Sequence, residues 1–482
     1  MKTKIIFPIL FSLFLMSNHL CIAQNNASLD TTTTILNGKQ FYVHKVIKNE
    51  TLSGIARDYN VTVREITDAN PRLVNGLKAG STIYIPVKAI KNDSRSHSDK
   101  SIDTTKNKSF DPSKETFEVA LLLPFNFPSY GESINSDALE SFFEASWNAN
   151  TLSSLEFYEG IIMSLDSLKK HGLHLELYTY TLADDSTETS KLLENPDLKK
   201  MNLIIGPVFN RYINKVASFA KANKIPLVYP FSNQTLIDDN PYVSTAIPSN
   251  TTQVKLMAKY ILDTYGNDNI LILSTNNSKE KELDSIYTKV LEKPWENSGN
   301  KHTVKHLNFH EGGLEKRSVL DTGGKNIIIV NTQDEAVVSE MISKLNTLAP
   351  DYEIVLIGVP KWETYETLDI DYLQNLDFHW FTSTFINQDD SLVKIFKNEY
   401  QYKYRNDPSI FVFKGYDIMT YFGSAFLRYG SKFESKLSEF KMKGLSTNFN
   451  FKKTGEQNGY ENEFINIVKY DDFQLKKADE KY

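Results

Sequence analysis

From residue 116 onward the chain alternates strand-like apolar runs with helical stretches, and few architectures satisfy that rhythm. Residues 117–125, FEVALLLPF, are apolar almost throughout. A half-exposed strand alternates in polarity, whereas a parallel strand covered on both faces reads as a continuous apolar run. Further strands are expected at 173–181, 203–205 and 225–230. Helices are expected from residue 157, where Ile161, Ile162, Leu165 and Leu168 share a face, at 190–193 and over 210–222. The rhythm then restarts, with helices at 251–265, 279–291 and 334–348 and strands at 269–273, 326–330 and 352–358. Two late helices, 392–404 and 416–427, precede β-rich stretches at 447–452 and 464–469. Strands alternating with helices close into right-handed crossovers and parallel sheets. The fold class expected is therefore α/β, with two doubly wound parallel sheets forming two lobes.

A separate small unit occupies residues 41–86 and reads strand, helix, helix, strand. Residues 41–46 are β-rich. Thr51 stands at an N-cap position, and Leu52, Ile55, Ala56 and Tyr59 follow at helical spacing. Thr62 and Glu65 have the spacing of a capping box, so a second helix starts there. Asn70-Pro71 ends it, because a residue preceding proline avoids the α region. Residues 81–86 return as a strand with Ile83 and Ile85 on one face.

These residues resemble a LysM module, the small peptidoglycan-binding repeat. The resemblance is carried by Tyr42-Val43, Thr51-Leu52-Ser53-Gly54-Ile55-Ala56, Tyr59, Val61-Thr62-Val63, Ile66, Ala69-Asn70-Pro71, Leu77, Gly80 and Ile83-x-Ile85-Pro86. It implies binding of N-acetylglucosamine units in a shallow groove between two loops, here 49–52 and 70–73. The implied contacts are Asn49, Glu50, Thr51, Leu52, Asn70, Pro71 and Leu73. Asn49-Glu50 stands where the family usually carries Gly-Asp.

Ahead of this unit, residues 1–23 have the physics of a secretion signal. Lys2 and Lys4 precede an apolar run at 5–16, and Cys21-Ile22-Ala23 places small residues where a signal peptidase reads. Cys21 is the only cysteine, and Asn18-His19-Leu20 before it is a poor lipobox, which argues against lipoprotein anchoring. Cleavage after Ala23 would leave no thiol for a disulfide, a nucleophile or a metal. It would also move the net charge from −6 to −8, since Lys2 and Lys4 leave. An acidic balance of this kind argues against nucleic acid as a partner. Localisation in the periplasm or cell envelope is expected. Residues 87–115 are rich in Ser, Lys, Asp and Thr and nearly free of apolar groups, as in a flexible linker.

The large unit, 116–482, is similar to type I periplasmic binding proteins, the bilobed fold of branched-chain amino-acid receptors. The residues concerned are 119–124, Phe157-x-x-Gly160, Ile205-Gly206-Pro207, 225–228, Tyr242-Val243-Ser244, Pro248-Ser249-Asn250 and Gly415-Tyr416-Asp417. The resemblance implies one lobe from 116–248 and 379–440, and a second from 249–378 and 441–482. Ligands of such folds bind between the lobes, on loops off the carboxyl ends of the strands. Those loops carry Phe127, Asn210, Ser232, Asn233, Asn277, Thr332 and Trp362. Amides, hydroxyls and aromatics suit a neutral or zwitterionic ligand, and equally a protein-binding surface.

Catalytic arrangements find little support. His302, His306 and His310 lie on a strand-like stretch, where each four-residue step spans roughly 13 Å, too far for one ion. Asp184-Asp185 and Asp389-Asp390 are adjacent pairs whose side chains diverge, unlike the opposed carboxylates of a glycosidase. No metal site, cofactor or catalytic residue is expected. The two resemblances thus imply a non-catalytic, peptidoglycan-anchored protein with a ligand- or partner-binding domain, expected to be a wall-associated regulator or interaction protein whose partner is a small-molecule ligand or a cell-wall synthesis enzyme. Two alternatives remain open: a solute receptor for an amino acid or wall fragment, and a cell-wall hydrolase.

Overall fold

The computed structural model describes residues 33–36, 39–48, 50–70, 73, 76–87, 115–124, 149–182, 185–208, 212–231, 237–275, 277–293, 303–314 and 317–479. The signal segment with Cys21, nearly all of the linker, and Asn49, Pro71, Phe127, Asp184, Asn210, Ser232, Asn233 and His302 lie outside the described residues.

The small unit folds as its capping residues dictate. Strands β1 (Thr33–Leu36), β2 (Lys39–Lys45) and β3 (Thr82–Pro86) run antiparallel, with helices α1 (Leu52–Asp58) and α2 (Val63–Ala69) between β2 and β3. Thr51 Oγ1 accepts from the Gly54 amide at 3.1 Å, and Thr62 and Glu65 form the reciprocal capping box. Val46, Ile55, Ala56, Val61, Ile66, Ile83 and Ile85 make its core.

The first lobe begins with β4 (Thr116–Leu123), α3 (Ala149–Lys170), β5 (His174–Thr181), α4 (Ser186–Glu194), β6 (Leu203–Ile205), α5 (Ile213–Asn223), β7 (Leu227–Tyr229) and β8 (Val243–Thr245). The second lobe contains α6 (Asn250–Tyr265), β9 (Asn269–Ser274), α7 (Ser278–Leu291), β10 (Lys305–Asn308), β11 (Asn326–Ile329), α8 (Glu335–Asn346), β12 (Ile354–Ile357), α9 (Ile370–Asn375) and β13 (His379–Thr382). The chain returns to the first lobe with α10 (Ser391–Tyr404), α11 (Ile410–Tyr429), β14 (Lys441–Lys443), β15 (Asn448–Lys453) and β16 (Tyr460–Asn462). It ends in the second lobe with β17 (Asn466–Asp471) and β18 (Gln474–Lys477).

Two sheets result. The second lobe has seven strands in the order β10-β9-β11-β12-β13-β17-β18, parallel except at β17 and β18. The first lobe's sheet runs β5-β4-β6-β7-β8-β16-β15-β14 and then continues into β1, β2 and β3. The small unit is therefore hydrogen-bonded into the large one through the parallel pair β1–β14. The lobe boundaries drawn from sequence need correction at two places. Residues 379–382 pair with β12 and β17 in the second lobe, while residues 441–462 belong to the first. Strand membership is set by pairing across long sequence distances, which local pattern does not encode.

Helices α3 and α11 pack with their backbones in contact. A Cβ added at Gly160 would lie 2.0 Å from the Val412 carbonyl oxygen, and one at Gly415 would lie 2.1 Å from that of Phe157. Ser164 and Thr420 hydrogen-bond at 2.7 Å further along the same seam. α11 is buried on nearly every face, as its apolar sequence IFVFKGYDIMTYFGSAF requires.

Three crossovers join the lobes, at 246–249, 383–390 and 463–465, and buried polar groups lace them together. Asn462 Nδ2 donates to the carbonyls of Ala246 and Asn448 at 3.1 and 3.0 Å. The Ser446 carbonyl accepts from the Phe385 amide at 2.8 Å. Asp417, on α11, accepts from the amides of Leu445, Ser446 and Thr447 and from the Ser446 hydroxyl.

Gly160→Ala and Gly415→Ala should each destabilise the protein by about 3 kcal/mol or more, beyond ordinary overpacking, because the obstacle is backbone. Urea denaturation measures this; a loss below about 1 kcal/mol for both would mean the helices can separate without cost.

Candidate functional site

Two regions carry the residues expected to bind. In the small unit the β2–α1 turn is closed from within. Glu50 Oε2 accepts from the Ile47 amide at 2.7 Å and lies 2.9 Å from His44 Nε2, while His44 Nδ1 meets Tyr59 Oη at 3.0 Å. Glu50 thus organises the turn as a carboxylate acceptor, although the glycine that usually precedes this position is absent. Thr51 caps α1 and is exposed; Leu52 and Leu73 are half-buried against the small core. Asn70 is buried rather than presented. Its Nδ2 donates to the carbonyls of Ile66 and Tyr84, and its Oδ1 accepts from the Tyr84 amide. These bonds pin the α2–β3 loop to the sheet, so Asn70 shapes this loop from beneath.

In the second lobe, the carboxyl ends of β9, β11 and β12 open on a cavity of about 320 Å³. Asn277, Asn331, Thr332, Gln333 and Lys361 are among its lining. Asn277 caps α7 by accepting from the Lys279 amide at 3.0 Å. Asn331 donates to Asp284 at 2.7 Å, and burial raises the Asp284 carboxyl above its ordinary range. Trp362 does not reach this cavity as a contact. It is 2% exposed, stacks on Phe378 and donates its Nε1 hydrogen to the Thr332 carbonyl at 2.9 Å. An aromatic at a strand end reads alike in sequence whether it stacks on a ligand or supports a loop, and here it supports the loop.

The corresponding end of the first lobe shows a residue the sequence reading passed over. Lys414, on the first turns of α11, places Nζ 5.3 Å from the ring centroid of Phe231, just beyond the carboxyl end of β7. Phe231 also meets Phe157 and Phe411 edge-on at 5.0 and 5.6 Å. Burial lowers the Lys414 ammonium to about 8. The available signal was a lone cation inside an otherwise apolar helical run. Asn277 and Thr332 are thus brought to one cavity, with Lys414 at the matching end of the other lobe.

Among the described residues no group of three or more His, Cys, Asp or Glu side chains is placed to hold a metal ion. No helix among them is long and apolar enough to cross a membrane.

Comparison with known proteins agrees with this architecture. The LysM domain profile matches residues 44–86, and the profile of the receptor family ligand binding region matches residues 162–468. Among solved structures, the chain is similar to a putative branched-chain amino acid ABC transporter from Rhodospirillum rubrum, at 12% identity and a TM-score of 0.54. That likeness covers 76% of this chain and all of the other. An ABC transporter substrate-binding protein from Desulfitobacterium hafniense matches at 15% identity over the same shares, with a TM-score of 0.48. At such identities the likeness speaks for fold, and the first of the two carries it. No curated protein matches the chain in sequence.

The buried carboxyl beneath the crossovers gives a pH test. Burial pushes Asp417 up to about 6 from an ordinary 3.8, against the four donors that favour its ionised form. A raised folded-state value means the folded chain holds the proton more tightly. This group's contribution to stability is therefore full below about pH 4 and lost as pH rises through about 6. The stability of the wild type minus that of Asp417→Asn should fall by about 2 kcal/mol between roughly pH 4 and 7.5. Paired urea titrations read this difference, and a difference that grows with pH would contradict it.

Proposed function

Because this chain belongs to the receptor ligand-binding-region family and also carries a LysM domain, we propose that it is a non-catalytic, peptidoglycan-attached binding protein of the cell envelope. Its bilobed domain takes a small carboxylate-bearing ligand and acts at the wall as a sensor or regulator. The observation that carries this reading is the β1–β14 pairing, which makes the LysM module part of the binding domain's own sheet. A receptor serving a permease must diffuse between ligand and membrane. A domain hydrogen-bonded to its own wall-binding module is held where the glycan is.

The ligand class follows from Lys414. A desolvated ammonium over the Phe231 ring gains most from an anionic group, which restores the charge that burial disfavours. The amides and hydroxyls of Asn277, Asn331 and Thr332 suit hydrogen bonding to the remainder of a ligand closed between the lobes. Amino acids and peptide fragments of the wall both fit this description.

Full-length protein should co-sediment with purified sacculi and be released by soluble N-acetylglucosamine oligomers, and Glu50→Ala should weaken that retention about tenfold. Protein that stays in the supernatant would overturn the wall attachment. In thermal-shift screens, carboxylate ligands should raise the midpoint of the wild type by a few degrees, since a ligand at about 100 times its Kd adds ~2.7 kcal/mol. Lys414→Met should abolish the shift without affecting sacculus binding. An equal shift in the variant would remove Lys414 from the site.

A further inference from the structure

The joint between the LysM module and the large domain is not a plain packing surface. One part of it is apolar: Phe41 and Tyr84 of the module pack with Leu392, Phe396, Val412, Tyr416 and Leu445. Next to that seam lies a cleft of about 580 Å³, lined on one side by the α2–β3 segment of the module. Its other side is the second crossover and the start of α10. The floor is fixed by a polar triad. Tyr84 Oη donates to Asp390, Lys443 Nζ donates to Tyr84 Oη at 3.2 Å, and Lys443 lies 3.6 Å from Asp390 Oδ2. Asp390 and Lys443 are only 13% and 23% exposed, so the floor is preorganised rather than a chance meeting of surface charges.

The walls have the chemistry of a sugar site. The module offers half-buried Leu73 and the polar edges of Lys78, Ser81 and Thr82, and the crossover offers exposed Asn387 and Asp389. Cations and carboxylates are balanced across the cleft, which disfavours a strongly charged polymer. Hydroxyl, amide and carboxylate groups surrounding an apolar strip suit the alternating faces of a pyranose. The volume falls in the usual range for small-ligand sites. Leu73 lines this wall and also belongs to the 70–73 loop that the LysM resemblance implies for glycan, which would make the two sites contiguous.

We propose that this cleft is an additional glycan subsite, in which Asn387 and Asp389 of the large domain extend the LysM site to further sugar residues of the same strand. The inference rests on the wall-binding reading and goes beyond it, because it makes the interlobe crossover part of the wall contact. The module and the large domain then form one composite glycan site.

Hydrogen–deuterium exchange of the full-length protein, with and without an N-acetylglucosamine pentamer, tests it directly. The expected result is slowed exchange at residues 387–391 together with 76–84. Calorimetry with the same pentamer should show binding at least fivefold weaker for Asp389→Ala, and weaker still for Asn387→Trp, which fills the cleft. The exchange experiment on the wild type decides the matter even if Asn387→Trp fails to fold. Protection confined to the module, with Asp389→Ala binding as the wild type does, would overturn the composite site and leave wall attachment standing. Failure of the wild type to bind the pentamer or sacculi at all would overturn both.

Discussion

The contact between the backbones of α3 and α11, permitted only where Gly160 and Gly415 lack side chains, sets the position of everything that surrounds it. α11 carries successive residues to different tasks. Lys414 reaches the aromatic group at the lobe's cleft end, Tyr416 joins the apolar seam with the LysM module, and Asp417 holds the Leu445–Thr447 turn by the crossovers. A helix rotated or lifted away from α3 by one methyl group would displace all three. Buried on nearly all sides, it has no solvent-facing freedom with which to absorb such a shift.

Wall binding and ligand binding are usually pictured as independent modules on a string. The residues between this LysM module and β4 have the composition of such a string, yet the strand that precedes the module ties it to the far edge of the first lobe's sheet. An intramolecular pairing of this kind faces a high effective concentration, so a short strand with few partners suffices. Tyr84 and Phe41, buried against α10 and α11, add an apolar contribution to the same docking.

Much of this was legible in the sequence, and the limits have physical causes. The caps at Thr51, Thr62 and Glu65 are local hydrogen-bonding devices, and the structure forms each where the spacing places it. The continuous apolar run of β4 and the alternation after it specify parallel sheets for similar local reasons. Strand β1, TTIL, pairs across some four hundred residues with β14, and no local pattern records such a partner. The lobe assignment of β13 to β16 failed on the same ground. Side-chain roles were harder still. Asn70 and Trp362 sit in the loops expected for ligands, but both turn inward to hold those loops in shape. Lys414 was overlooked because the ring it lies over, Phe231, is far from it in sequence.

The sheet connection also fixes a path for mechanical force. A load applied to the module would pass through β1 to β14, and β14 runs directly into the turn at 445–447. That turn is gripped by Asp417, and its Ser446 carbonyl is bonded to the second crossover through Phe385. The module is therefore coupled through the sheet to the crossovers that join the two lobes, rather than to the rim of either lobe.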